Sequence, residues 1–201
     1  MVLKNKLNIH DYANLSKAEE KISKQKALDL FDRKIIDTFE VGTTKGLQFI
    51  HTYLFDEIYE FAGKIREVNM SKGNFRFAHA MYLKEILSKI DAMPMNTFDE
   101  IIEKYIEMNV AHPFREANGR SMRIWLDQML KKKLSQVVDW NKISKDDYLL
   151  AMERSPIKDL EIKSILKVAL TEHINDRVTY IKGIDASYNY EGYNTYETGK
   201  I

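Results

Sequence analysis

The sequence predicts a mostly α-helical domain that carries one β-hairpin. Three observations lead there. Apolar residues recur at intervals of three and four along most of the chain, the pattern of helices with one buried face. Only three prolines and eight glycines interrupt 201 residues, so long helices run with few breaks. One stretch alone alternates apolar with polar, at the two-residue period of a strand.

Taken in order, Ser16-Lys17-Ala18-Glu19 reads as a capping box, in which hydroxyl and carboxylate satisfy free amides of a first turn. It predicts a first helix to about Ile36. Leu47, Ile50, Leu54, Ile58 and Phe61 form the stripe of a second helix, with Gly63 as its stop. Ile65–Met70 alternates, Ser71-Lys72-Gly73-Asn74 is turn chemistry, and Phe75–Ala78 alternates again. This predicts a hairpin with an edge strand open to another chain. Thr97-Phe98-Asp99-Glu100 is a second capping box, opening a helix that Pro113 ends near Ala111, since proline disfavours helical geometry in the residue before it. Ile124 to Leu130 marks a strongly apolar helix whose end carries Lys131, Lys132 and Lys133, placed to suit its dipole. Ser144 with Asp147 caps a helix through Tyr148, Leu149 and Met152 that stops at Pro156, and Leu160 to Leu170 marks one more. The tail from Tyr188 to Ile201 turns rich in Tyr, Asn, Gly and Thr.

Composition narrows the function. With 44% hydrophobic and 30% charged residues, the chain has the balance of an ordinary soluble domain. Thirty-one basic residues face thirty acidic ones, so no global field points to direct nucleic-acid binding. The absence of cysteine excludes disulfides, thiolate zinc and a cysteine nucleophile. His10, His51, His79 and His173 have no metal-ligand spacing. No apolar run approaches the roughly 18–20 residues of a membrane span, and Met1–Lys6 lacks a signal-peptide core. The expected location is the cytoplasm.

The chemistry concentrates in His112-Pro113-Phe114-Arg115-Glu116-Ala117-Asn118-Gly119-Arg120-Ser121-Met122-Arg123. A histidine at a helix end precedes a short loop with a carboxylate and an Asn-Gly pair. Two arginines three residues apart follow on one helix face. Free amides and the positive dipole end at the Asn-Gly pair make an anion site. Each part suits a nucleotide polyphosphate. The amides near Gly119 hold one phosphate, and Arg120 and Arg123 neutralise others. Glu116 suits Mg²⁺, which favours a carboxylate with phosphate oxygens. His112 suits a general base near neutral pH, and Phe114 anchors the loop in the core.

The segment resembles the signature of the Fic family, H-x-F-x-[DE]-G-N-G-[RK]-x-x-R, at His112, Phe114, Glu116, Asn118, Gly119, Arg120 and Arg123: seven of eight fixed positions. Ala62-Gly63-Lys64-Ile65-Arg66 with Lys72-Gly73-Asn74-Phe75-Arg76-Phe77 is similar to the family's flap hairpin. The resemblance implies a Fic-type helical bundle over residues 1–186, with flap 64–78 and catalytic loop 112–123. It implies a protein adenylyltransferase that moves AMP from ATP to a Ser, Thr or Tyr hydroxyl of a target protein. His112 would deprotonate that hydroxyl, and Glu116 would hold Mg²⁺ between the α- and β-phosphates. Asn118 and the Gly119 amide would help form the anion hole, with Arg120 and Arg123 on the β- and γ-phosphates. The flap residues Met70, Ser71, Lys72, Gly73, Asn74 and Phe75 would align the target by strand addition. Ala117 departs from the family's glycine. A positive φ there would cost roughly 1–2 kcal/mol.

Ser187-Tyr188-Asn189-Tyr190-Glu191-Gly192 resembles the inhibitory motif [ST]-x-x-x-E-[GN] of autoinhibited Fic proteins, implying a C-terminal inhibitory segment over 187–201. Ser187 and Glu191, four apart, share a helix face. Glu191 would pair with Arg123, and Ser187 would buttress the loop near Asn118. Other readings stay open. Lys72 is a phosphate contact or a turn lysine; Asn109 is a ribose contact or a helix-capping amide; Tyr148 and Met152 are adenine contacts or core. Tyr188, Tyr190, Tyr193 and Tyr196 pack the tail or are modified by the enzyme itself. Such a tail is also well placed for control by homo-oligomerisation. Two alternatives accompany the main reading: a Fic-fold enzyme that uses another donor or removes AMP, and a nucleotide-binding module weakened by Ala117.

Overall fold

The interior is set by two helices, α4 (Phe98–Ala111) and α5 (Asn118–Leu134), joined by the loop that carries His112. Ile101, Ile102 and Tyr105 of α4 face Trp125, Leu126, Met129 and Leu130 of α5, all removed from solvent. Helix α2 (Thr44–Phe55) closes the same core with Leu47, Ile50, Leu54 and Phe55. Around them lie α1 (Tyr12–Asp32) against α2, α3 (Leu83–Ala92) against α4, the pair α6 (Lys145–Arg154) and α7 (Leu160–Val168), and α8 (Arg177–Asn189) across α1 and α5. This computed structural model describes residues 2–73 and 75–201. Among the described residues no helix is long and apolar enough to cross a membrane.

Thr97 and Glu100 form the full reciprocal capping box, and Ser144 accepts from the Asp147 amide. The box read at Ser16 is displaced: the cap lies five residues earlier, at Asp11, which accepts from the Asn14 amide. That leaves Glu19 on the buried face of the helix. The helix also ends at Asp32, not Ile36, and a short 3₁₀ turn follows at Ile35–Thr38. Helix α2 stops at Phe55; Ile58 is buried from the turns beyond it. Gly63, at φ +71°, marks the end of those turns rather than of a helix.

The flap hairpin is shorter than its alternation suggests. Only β1 (Ser71–Lys72) and β2 (Phe75–Arg76) pair, antiparallel, in the register Ser71↔Arg76 and Lys72↔Phe75. Asn74 lies outside the described residues. Residues 65–70 form no strand: Arg66 is buried and Ile65 half-buried, while Glu67, Val68 and Asn69 are exposed, so the apolar–polar alternation does not correspond to a buried and a solvent face. Besides the flap hairpin, β3 (Val137–Val138) pairs antiparallel with β4 (Leu170–Thr171) across the connection that carries α6 and α7. Two-residue strands far apart in sequence leave no local period to read.

The boundary drawn at 186/187 falls inside α8. The tail beyond α8 is stapled to α1 through charge. Glu20 accepts the Thr195 and Tyr196 amides at 3.0 and 3.1 Å. Lys24, fully buried, reaches Asp185 at 2.9 Å, Glu20 at 3.1 Å and the Tyr196 carbonyl at 2.5 Å. Asp185 in turn accepts the Thr198 amide and hydroxyl. Lys24→Met leaves two carboxylates unpaired, so it should cost about 3 kcal/mol in urea unfolding. A loss below about 1 kcal/mol, the scale of a surface pair, would contradict this.

Candidate active site

Helix α4 ends because His112 takes the left-handed conformation, φ 47° and ψ 63°, with its amide donating to the Met108 carbonyl at 2.9 Å. Pro113 then excludes a further helical turn. Phe114 is fully buried, and its ring lies 4.0 Å from that of His51 on α2. Asn118 closes the loop: its Oδ1 accepts the Phe114 amide at 2.8 Å and its Nδ2 donates to the Phe114 carbonyl at 2.7 Å. The Asn118 side chain therefore holds the loop closed on Phe114. Ala117 sits at φ 61°, the left-handed region that favours glycine.

His51 ties the loop to the flap. Its Nδ1 accepts the Gly63 amide at 2.9 Å, so the proton resides on Nε2, which donates to the Glu116 carbonyl at 3.0 Å. Burial lowers its pKa to about 4, which keeps this tautomer neutral.

His112 lines a cleft of about 830 Å³, the size of a site for a small ligand. Phe77 of the flap stacks on its ring at 3.6 Å. Burial lowers the His112 pKa to about 4; Glu191 opposes the shift and Arg66 adds to it. Its Nδ1 is buried and makes no close hydrogen bond among the described residues, although the Asn109 backbone lies near enough to oppose the pKa shift. Glu116 also lines the cleft, with 38% of its side chain exposed. Its Oε1 accepts the Ala117 amide at 3.0 Å and meets Arg120 at 3.4 Å. Burial raises its pKa, against the pull of Arg120.

Both arginines are buried. Arg123 donates to the Ser187 hydroxyl at 2.6 Å, the Ser187 carbonyl at 2.8 Å and Glu191 Oε1 at 2.7 Å. Arg120 donates to Glu191 Oε2 at 3.0 Å and pairs with Glu19 of α1. Aromatic rings surround both guanidiniums: Phe55, Tyr188 and Tyr193 about Arg120, Tyr148 and Tyr190 about Arg123. Burial pushes the Glu191 pKa up, but the two arginines outweigh it and hold the carboxylate below its usual value. A Cβ at Gly119 would strike the Glu191 carboxylate, so that glycine admits Glu191 to the helix N-terminus.

The structure thus brings together His112, Glu116, Ala117, Asn118, Gly119, Arg120, Arg123 and Glu191. Asn109 and the flap residues Met70, Ser71, Lys72, Gly73 and Phe75 line the same cleft. Tyr148 and Met152 are buried and line it too. Ser187 lies on Arg123, not against Asn118 as read. Glu191 follows the last turn of α8 rather than sitting inside it. Of the tail hydroxyls, Tyr188 is buried, Tyr190 bonds the Trp140 and Ile143 carbonyls, and Tyr193 bonds Glu19. Glu19 escaped sequence reasoning because it was read as a cap. A signal existed: it lies four residues after Leu15, on the same stripe.

Residues 42–130 match the Fic/DOC family. The chain is 28% identical over 216 residues to the protein adenylyltransferase VbhT of Bartonella schoenbuchensis, covering 96% of this chain and 44% of that protein. The chain therefore spans less than half the length of that relative. It is 27% identical to a probable protein adenylyltransferase Fic of Salmonella typhimurium, over 85% of this chain and 88% of that one. The fold matches the BepC protein of Bartonella tribocorum, solved with AMPPNP, at a TM-score of 0.68 and 18% identity, covering 85% of this chain and 93% of that one. It also matches the N-terminal Fic domain of an effector from Bartonella sp. AR 15-3, at a TM-score of 0.70 and 17% identity, covering 86% and 88%.

The strained φ at residue 117 yields a test. Ala117→Gly should raise stability by about 1 kcal/mol in urea unfolding, the left-handed penalty less the entropy that glycine adds to the unfolded chain. Unchanged or reduced stability would contradict the strain.

Proposed function

We propose that the chain is a Fic-type protein adenylyltransferase held off by its own C-terminal segment, a reading supported by the match of residues 42–130 to the Fic/DOC family. The observation that carries this reading is the Glu191 carboxylate. It sits on Arg120 and Arg123 at the N-terminus of α5, where a nucleotide's terminal phosphates would otherwise be neutralised.

In the reaction, the target hydroxyl oxygen attacks the α-phosphorus of ATP. The bond from that phosphorus to the bridging oxygen of the β-phosphate breaks, and pyrophosphate leaves. Neutral His112 takes the hydroxyl proton. Its lowered pKa keeps the imidazole unprotonated at pH 7, as a general base must be. The Phe77 stack restricts the ring's tilt. First-turn amides of α5 and its dipole meet the phosphates, and Arg123 binds the γ-phosphate once Glu191 withdraws. Arg120, paired with Glu19, supports that turn. Tyr148 and Met152 form the wall for the base, and Asn109 stands towards the ribose. The flap presents its edge to the target chain, with Lys72 towards the phosphates.

Mg²⁺ fits the donor set. Glu116 Oε2 makes no hydrogen bond among the described residues, and its carboxylate borders the cleft. A single carboxylate with phosphate oxygens and water is the usual Mg²⁺ environment. Held by Glu116, the ion would neutralise charge between the α- and β-phosphates.

The tail excludes ATP by occupation and by repulsion. Keeping 99% of molecules closed requires about 2.7 kcal/mol, within reach of two charge-assisted contacts. Glu191→Gly should therefore raise AMP transfer from α-labelled ATP roughly ten- to a hundredfold. Adding His112→Ala should abolish it while ATP still binds. An unchanged rate in Glu191→Gly would remove the lock; equal loss of transfer and binding in the double variant would make His112 structural. In Glu191→Gly, kcat should stay level from pH 8 downward and fall only below the ordinary imidazole value of about 6.5, because the base works above its pKa. An acid limb centred near pH 7 would contradict a depressed pKa.

A further inference from the structure

Arg66 is a buried guanidinium without a carboxylate partner among the described residues. Every donor it uses goes to a main-chain carbonyl. Nε reaches the His112 carbonyl at 2.7 Å, Nη1 the Val68 carbonyl at 2.6 Å, and Nη2 the Ala78 and Ala111 carbonyls at 2.5 and 3.0 Å. Its own amide donates to the Pro113 carbonyl at 2.8 Å.

These acceptors belong to two different parts of the site. Ala111 and His112 close α4, where unpaired carbonyls and the negative dipole end attract a cation. Val68 and Ala78 are the two feet of the flap. One rigid, planar fork therefore fixes the flap to the turn that presents His112. Ala78 adds a bond from its amide to the Val110 carbonyl at 2.9 Å. Phe77, its neighbour, stacks on the His112 ring. A buried charge held only by carbonyls is costly to keep, and a helix end needs no arginine to close. Carbonyls at the feet of the flap explain its presence.

We propose that Arg66 is a positioning residue for AMP transfer. It sets the distance between the flap, which carries the target hydroxyl, and His112, which takes its proton. The inference rests on the adenylyltransferase reading. Nucleotide binding depends on Arg66 far less, because the main phosphate arm, Arg123 with the first-turn amides, stands on α5.

The test uses the full chain as Glu191→Gly, alone and combined with Arg66→Lys or Arg66→Gln. Thermal unfolding reports folding, calorimetry reports ATP affinity, and AMP transfer reports kcat and the KM for the target. Arg66→Gln should lower kcat about a hundredfold, the scale of an ångström's misplacement. Arg66→Lys, which keeps the charge but not the fork, should lose about tenfold. ATP affinity should stay within about twofold in both, under half a kcal/mol. Full kcat in folded Arg66→Lys, or kcat and ATP affinity falling together, would overturn the proposal. Amide hydrogen exchange on Arg66→Lys in the otherwise wild-type chain gives a readout free of activity. Faster exchange at Phe77, Ala78 and His112, with α5 unchanged, is expected; unchanged exchange there would overturn the proposal. If Glu191→Gly alone transfers no AMP, the functional reading fails and exchange alone decides the role of Arg66.

Discussion

Two arginines buried at the first turn of α5 impose the constraint that the rest of the structure answers. Arg120 and Arg123 add their charges to the positive end of a helix dipole, out of contact with water. Two such charges side by side are costly without anions against them. The chain supplies two kinds. Glu19, on the long first helix and bonded also by Tyr59 and Tyr193, is a permanent partner for Arg120. Glu191, just past α8, is a second partner, shared with Arg123. On the proposed reading a polyphosphate would offer the same charge in the same place, so nucleotide and tail would compete for these two arginines.

That competition needs a scaffold that does not move when the partner changes. Asn118 closes the loop on Phe114, Phe114 is locked against His51, and His51 carries the Glu116 carbonyl and the Gly63 amide on its two nitrogens. Arg66 repeats the device on the other side of His112. Loop, flap and helix ends thus behave as one body. The tail is anchored on α1 by Glu20, Lys24 and Asp185 and reaches the site itself through Tyr193 on Glu19 and Glu191 on the two arginines.

The catalytic string was legible because helix end, loop and helix start follow one another within twelve residues, and fixed spacing there dictates geometry. Glu191 was legible only through the resemblance of Ser187-x-x-x-Glu191 to an inhibitory motif, since its partners Arg120 and Arg123 lie 71 and 68 residues away. Other roles that depend on distant contacts were not legible. Glu19 lies 101 residues from Arg120, and only its place on an apolar stripe hinted at burial. Arg66 meets carbonyls, which sequence does not distinguish. Helix α3 was passed over between the flap and Thr97, and the β3–β4 pair was too short to show a period. Helix caps followed local chemistry at Thr97 and Ser144; at Ser16 a plausible box lost to Asp11, because packing on α2 favoured a longer helix.

The central claim is that Glu191 stands in for the outermost phosphate on Arg123. Calorimetry of ATP and AMP binding to wild type and Glu191→Gly, with Mg²⁺ present, tests it most directly. ATP affinity should rise about tenfold or more while AMP affinity changes less than about twofold, since 1.4 kcal/mol separates each factor of ten and only ATP reaches Arg123. Equal gains for both nucleotides, or none for ATP, would contradict the account.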